Sequence, residues 1–168
     1  MGINLPANVR AVLNQPNVTV HRQVQIVREY WNADLRMIVD VSQDVAKIGS
    51  LTNESTLKRI DWNVPTMTVS MNNADGKYSK GSAASIWQAT LQRKPRECAL
   101  IFRLMLPMPD GTLYQLHKFP GSIEDAVPRD ESDVAVVDLV VKHLSHRQLA
   151  AGITKASGDE LVVLGTTW

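Results

Sequence analysis

The run Thr66-Met67-Thr68-Val69-Ser70-Met71 alternates polar and apolar side chains at every step, and it leads into Asn72-Asn73-Ala74-Asp75-Gly76-Lys77-Tyr78-Ser79. A period of two places Met67, Val69 and Met71 on one face of a strand, with Thr66, Thr68 and Ser70 on the other. Such a strand buries one face only, and burying three side chains of this size contributes roughly 5–8 kcal/mol before chain entropy is subtracted. The Asn, Asp and Gly residues that follow tolerate positive φ or hydrogen-bond their own backbone, which predicts a turn out of the strand. The structural turn motif is Asn72, Asn73, Asp75, Gly76, Tyr78 and Ser79.

Similar patterning recurs along the chain. Val18, Val20, Val24 and Ile26 share parity, with Arg22 and Arg28 interrupting on the same side, and predict one strand or two. Asn32-Ala33-Asp34 offers a turn, and Leu35, Met37, Val39 and Val41 again share parity, so a hairpin joins the two. The polar stretch from Ser50 to Lys58 reads as a loop or as a distorted hairpin arm. Cys98–Leu106 and Thr112–Phe119 are apolar runs separated by Pro107-Met108-Pro109-Asp110-Gly111, the clearest hairpin in the chain. Pro120-Gly121 predicts a further turn, Ser122–Val127 a short strand, Pro128–Asp133 a charged loop and Val134–Leu144 a long half-buried strand. Leu161–Leu164 is a possible final strand.

Helix is expected mainly at the start, where Val9, Val12 and Leu13 recur at helical spacing, with Asn4 as cap and Pro16 as stop. Ser145–Ala150 has room for one further helical turn. The resulting expectation is a mainly β fold, an antiparallel sandwich or barrel with one or two short helices. Residues 1–16 form a helix or arm, residues 17–150 the β-domain, and residues 151–168 a C-terminal tail that docks as a strand on a neighbour.

The alternating strand, the Asn-Asn-Ala-Asp-Gly-Lys-Tyr-Ser phrase and the following loop with Gly81, Ser82, Ala84, Ser85 and Trp87 resemble tail proteins of tailed bacteriophages. The resemblance is densest from Asp34 to Leu149. It implies the tail-tube-like fold of tail-tip and baseplate proteins, two packed sheets with a helix at the side, whose subunits close into rings. Rings remove exposed sheet edges, and a contact that closes limits the size of the assembly. On this resemblance the segments Ser50–Lys58 and Lys77–Gln88 face partners, which are further copies of the chain and other tail proteins.

At 168 residues the chain is long enough for one domain that buries on the order of 70% of its unfolded surface. Its 18 basic and 17 acidic residues give a net charge of +1 without long blocks of either sign, so sequence-specific nucleic acid is not expected as a partner. The N-terminus lacks a basic start followed by an unbroken apolar stretch, Pro6 stands where a myristoylation signal requires Ser or Thr, and no run has the ~18 apolar residues of a membrane span. The expectation is synthesis in the host cytoplasm, no membrane partner and residence in the virion tail. The sequons at Asn17 and Asn53 have no role without export. Cys98 opens an apolar run and reads as a buried thiol.

No constellation points to chemistry. His21, His117, His143 and His146 are not spaced as a zinc site, and the Asn73–Lys77 stretch lacks the ligand pattern and closing Glu of a calcium loop. There is no Gly-x-Ser-x-Gly elbow, P-loop or Gly-x-Gly-x-x-Gly, and the carboxylates from Glu124 to Asp133 read as a solvated face rather than a glycosidase pair. No enzyme, metal or cofactor is expected. Trp62 fits the core or an interface, whereas Trp87 and Trp168, in a loop and a tail, are the candidate interface residues. The alternative function is a monomeric β-sandwich that binds a ligand such as a carbohydrate through exposed Trp residues.

Overall fold

Alternating sequences can bury one face only by joining a sheet that curls over itself. The protein, seen in a computed structural model, is described over residues 5–49, 65–131 and 134–144. Among these residues are one α-helix, α1 (Ala7–Leu13), and seven strands: β1 (His21–Arg28), β2 (Met37–Asp40), β3 (Val45–Ile48), β4 (Thr66–Asn72), β5 (Cys98–Pro107), β6 (Leu113–Glu131) and β7 (Val134–His143). All neighbouring strands are antiparallel, in the order β2-β1-β5-β6-β7-β4-β3. The fold is therefore mainly β, as the alternation predicts.

β6 divides the sheet into two wings. Its first part, Leu113 to Ser122, pairs with β5, and its second part, Gly121 to Glu131, pairs with β7. Side chains from both wings meet in one core: Val24, Ile26, Leu100 and Phe102 from the first pack with Val69, Ile123, Leu139 and Val141 from the second. The architecture is sandwich-like, with β6 as one corner. The opposite corner is the short link from β2 to β3 through a single 3-10 turn at Ser42–Asp44. Val41 is buried in the core there, and its N–H donates to the Val24 carbonyl at 2.9 Å while the Val24 N–H donates to Ser42 Oγ at 2.9 Å.

The expected turn at Pro120-Gly121, and the expected charged loop at Pro128–Asp133 as far as Glu131, are corrected by this long strand, and Ser132 and Asp133 lie outside the described residues. Pro120 pairs with Ile101, and its missing N–H falls at the end of the β7 ladder, where its carbonyl accepts from the Leu144 N–H at 3.0 Å. Gly121 is required by close approach rather than by a turn. A Cβ there would lie 2.3 Å from Val141 Cγ1, 2.8 Å from the Lys142 carbonyl oxygen and 2.9 Å from Phe119 Cε1. The strand continues through Pro128 to Glu131, where β6 has only β7 beside it.

Other elements follow their sequence signals. The β1–β2 and β5–β6 hairpins are present, the second closed by the Met108 N–H to the Thr112 carbonyl at 2.8 Å, with Gly111 at φ +82°. In β4, Met67, Val69 and Met71 are buried and alternate with half-buried Thr66, Thr68 and Ser70. α1 follows Pro6 at its N-cap position and buries Val9 and Val12 against Leu106 and Met108, covering the end of the β5–β6 hairpin. Asn4, the expected cap, lies outside the described residues, as do the Ser50–Lys58 segment, Trp62, Ser145–Ala150, Leu161–Leu164 and Trp168.

Candidate functional site

The turn after β4 is an organised knot. Asn73 Oδ1 accepts from the Tyr78 N–H at 2.6 Å, and its Nδ2 donates to Ser79 Oγ at 2.9 Å. Asn72 and Asp75 each accept from the N–H two residues on, from Ala74 at 3.1 Å and from Lys77 at 3.0 Å. Gly76 takes φ +72°, a conformation that costs glycine little and a residue with Cβ more. The six motif residues thus lie in one turn and bond largely to one another.

Two of its side chains reach the β2–β3 corner. Tyr78 is fully buried and its hydroxyl donates to Asp44 Oδ2 at 2.6 Å, while Lys77 Nζ donates to the same oxygen at 2.6 Å. Burial alone would raise the Asp44 carboxyl, but the bonds from Lys77 and Tyr78 and the lysine charge outweigh it and hold Asp44 below the ordinary carboxylate range. Burial first, and then the bond to Asp44, push the Tyr78 phenol far above its usual value.

The stretch from Lys77 to Gln88 leaves Lys80, Gly81, Ala83, Ala84 and Gln88 exposed, but the expectation of Trp87 at an interface is corrected. Trp87 is 2% exposed on a π-helical turn, Ile86–Thr90, and belongs to the core. Its indole Nε1–H donates to the Tyr78 carbonyl at 3.0 Å, and its ring meets that of Tyr78 edge to face at 6.4 Å between centroids. The Gly and Ser residues that read as a surface loop instead let the chain fold back so that Ser85, Ile86 and Trp87 point inward.

An open cleft of about 860 Å³ lies beside this turn, with Lys80, Gln88, Arg93, Lys94, Arg96 and Asp125 among its walls. Its cations are largely answered from within: Lys80 pairs with Asp125, Arg93 Nη2 with Glu29 at 2.9 Å, and Arg96 Nε donates to the Glu124 carbonyl at 2.6 Å. The Lys80 bond, followed by that from the Ala126 N–H, holds the Asp125 carboxyl below its ordinary range. Lys80, Arg93, Lys94 and Arg96 against Glu97 and Asp125 leave the walls with an excess of positive charge.

Other candidates for chemistry lie apart. His21, His117 and His143 stand on β1, β6 and β7, and among the described residues no three His, Cys, Asp or Glu groups converge as metal ligands. Cys98 is 2% exposed, and burial, followed by the neighbouring Glu97 charge, pushes its thiol up to about 12.

The remaining feature is a surface that periodicity does not reveal. Leu35, Met37, Val39 and Val41 share parity, yet only Val41 is buried, whereas Leu35 is 58% and Met37 36% exposed. With Trp31 at 55% and Ile38 at 50%, they gather at the β1–β2 hairpin and along β2, an outermost strand of the sheet. Trp31 stands edge to face against Tyr30 at 4.9 Å, and Arg36 holds Tyr30 through a bond to its carbonyl at 2.8 Å and a cation–π contact at 5.7 Å. A run of exposed apolar residues is the sequence signal, but alternation alone does not separate an edge strand from a central one.

Among the described residues no helix is long and apolar enough to cross a membrane. Comparison with protein-family models and with curated proteins gives no match.

Proposed function

We propose that the chain is a structural subunit of a bacteriophage tail, at the tip, the baseplate or an adaptor, and that copies of it assemble into a symmetric ring in contact with other tail proteins. The observation that carries this reading is the exposure of Trp31 and Leu35 in the β1–β2 turn and of Met37 and Ile38 on β2, an outermost described strand of a sandwich-like β fold. A lone exposed Leu is ordinary, but several apolar side chains at an edge that no described strand covers mark a contact with another chain. The tail assignment draws on the resemblance of the β4 strand and its turn to tail proteins, and in this reading that turn braces the β2–β3 corner from inside the subunit.

The carbohydrate-binding alternative loses one of its platforms, because Trp87 is enclosed by the core. Quantitative mass spectrometry of purified particles from the source of the chain tests the tail reading. A few copies per particle, in a multiple of three or six relative to the major tail subunit, is the expected result. Absence from the particles would remove the virion assignment.

A further inference from the structure

The two outermost strands are protected to different degrees. β3 carries Lys47 and a register shift between Val45 and Lys47, both of which discourage pairing with another strand. β2 reads Met37-Ile38-Val39-Asp40, has no bulge in its pairing with β1, and exposes Met37 and Ile38. Among the described residues no strand pairs with its other edge, and the chemistry of that edge identifies which strand fits it.

The direction of the backbone groups follows from the ladder. The Val41 N–H donates to the Val24 carbonyl, and Val39 lies opposite Ile26 and Met37 opposite Arg28, so the odd-numbered residues of β2 bond to β1. The N–H and C=O groups of Arg36, Ile38 and Asp40 then point away from the sheet. We infer that this edge pairs with the same edge of a second copy, antiparallel, about a two-fold axis through Ile38. Ile38 exchanges both of its backbone bonds with Ile38 of the other copy, and Arg36 and Asp40 exchange theirs with Asp40 and Arg36.

The outward backbone groups and the side chains agree on this register. It sets Met37 opposite Val39 and the guanidinium of Arg36 opposite the carboxylate of Asp40 twice over, so the segment Arg36-Met37-Ile38-Val39-Asp40 is complementary to itself in apolar content and in charge. Arg36 and Asp40 are exposed, and the bond from Arg36 to the Tyr30 carbonyl leaves further guanidinium donors for a partner. Ile38 is opposite Val27 and shares its face of the sheet, so the contact extends the small outer cluster of Val27, Ala99 and Ile101. A two-fold contact uses one patch on both subunits and closes at two copies.

The inference rests on the self-assembly part of the proposed function, and not on the virion part. If the contact is used within a larger ring of equivalent copies, that ring holds an even number of them. The full chain is examined by sedimentation over a concentration series together with Ile38→Lys, which sets two ammonium groups against each other at the axis. The expected result is a dimer for the unaltered chain and association weakened at least about tenfold toward monomer for Ile38→Lys, with the circular dichroism unchanged. In parallel, Ile38→Cys with a short thiol-to-thiol linker gives covalent dimers, whereas Leu113→Cys, exposed on the far hairpin, does not. Assembly that persists in Ile38→Lys, with no linkage through position 38, overturns the β2 contact and leaves self-assembly standing through another surface. A monomer at every concentration overturns both.

Discussion

Replacing Gly121 by Ala tests whether the two wings are joined as closely as β6 requires. The added Cβ would stand 2.3 Å from Val141 Cγ1, 2.8 Å from the Lys142 carbonyl oxygen and 2.9 Å from Phe119 Cε1, all inside normal contact. Side chains that can yield make overpacking cost about 1–3 kcal/mol. Here one neighbour is backbone in a paired strand and two belong to buried side chains, Val141 and Phe119, so the upper end applies, about 3 kcal/mol. For a chain of this length that lowers the melting temperature by about 6–12 °C. Urea titration followed by tryptophan fluorescence measures the change directly. Val141→Ala in the same chain removes the nearest obstacle, so the double variant loses less than the sum of the two singles. A loss below about 1 kcal/mol for Gly121→Ala, or strict additivity with Val141→Ala, would refute the close-approach argument.

Further outcomes follow from the buried groups. Tyr78→Phe removes the bond to Asp44 while keeping the ring, and costs about 1.5–3 kcal/mol in the same titration, the range for a hydrogen bond to a charged group. Because Asp44 is held below its unfolded pKa, its contribution is present above about pH 4 and lost as pH falls through the folded value; Asp44→Asn flattens the acid limb of stability against pH. Tyr78 is shifted upward, so its contribution is present below about pH 10 and lost above it, and the alkaline limb flattens in Tyr78→Phe. Cys98, buried and with its thiol pushed up to about 12, reacts with an aromatic disulfide reagent at pH 8 only as fast as the chain opens, and urea accelerates it.

The readable parts of the fold are those in which one local pattern has one meaning. Met67, Val69 and Met71 alternate without interruption, and Asp110-Gly111 between two apolar runs admits little besides a hairpin. Pro120-Gly121 carries the local marks of a turn, yet the proline sits where its missing donor falls at a ladder's end and the glycine where Val141 leaves no room for Cβ. Both reasons lie in a strand some twenty residues further along the chain. Trp87 was misplaced for a related reason: small polar neighbours permit a surface loop and equally permit a tight inward turn, and the choice is made by the Tyr78 carbonyl that accepts its indole N–H. The six residues of the turn motif were legible as a turn, but the bonds from Lys77 and Tyr78 to Asp44 were not, since nothing local links them. The exposed edge at Met37 and Ile38 was hidden by the parity that identified its hairpin.

That β6 belongs to both wings also governs when the fold becomes available during synthesis. β1 waits for β5, with Arg28 opposite Cys98, and β4 waits for β7, with Thr66 opposite Lys142. The β1–β2, β3–β4, β5–β6 and β6–β7 pairings join strands that emerge in succession. A nascent chain that has reached Glu131 therefore has β4 without the strand that separates it from β6, and its alternating apolar face lacks the β7 half of its cover. The second wing is joined to the first only when β7 leaves the ribosome, and chains stalled before Val134 present Met67, Val69 and Met71 to whatever else in the cell binds an uncovered strand.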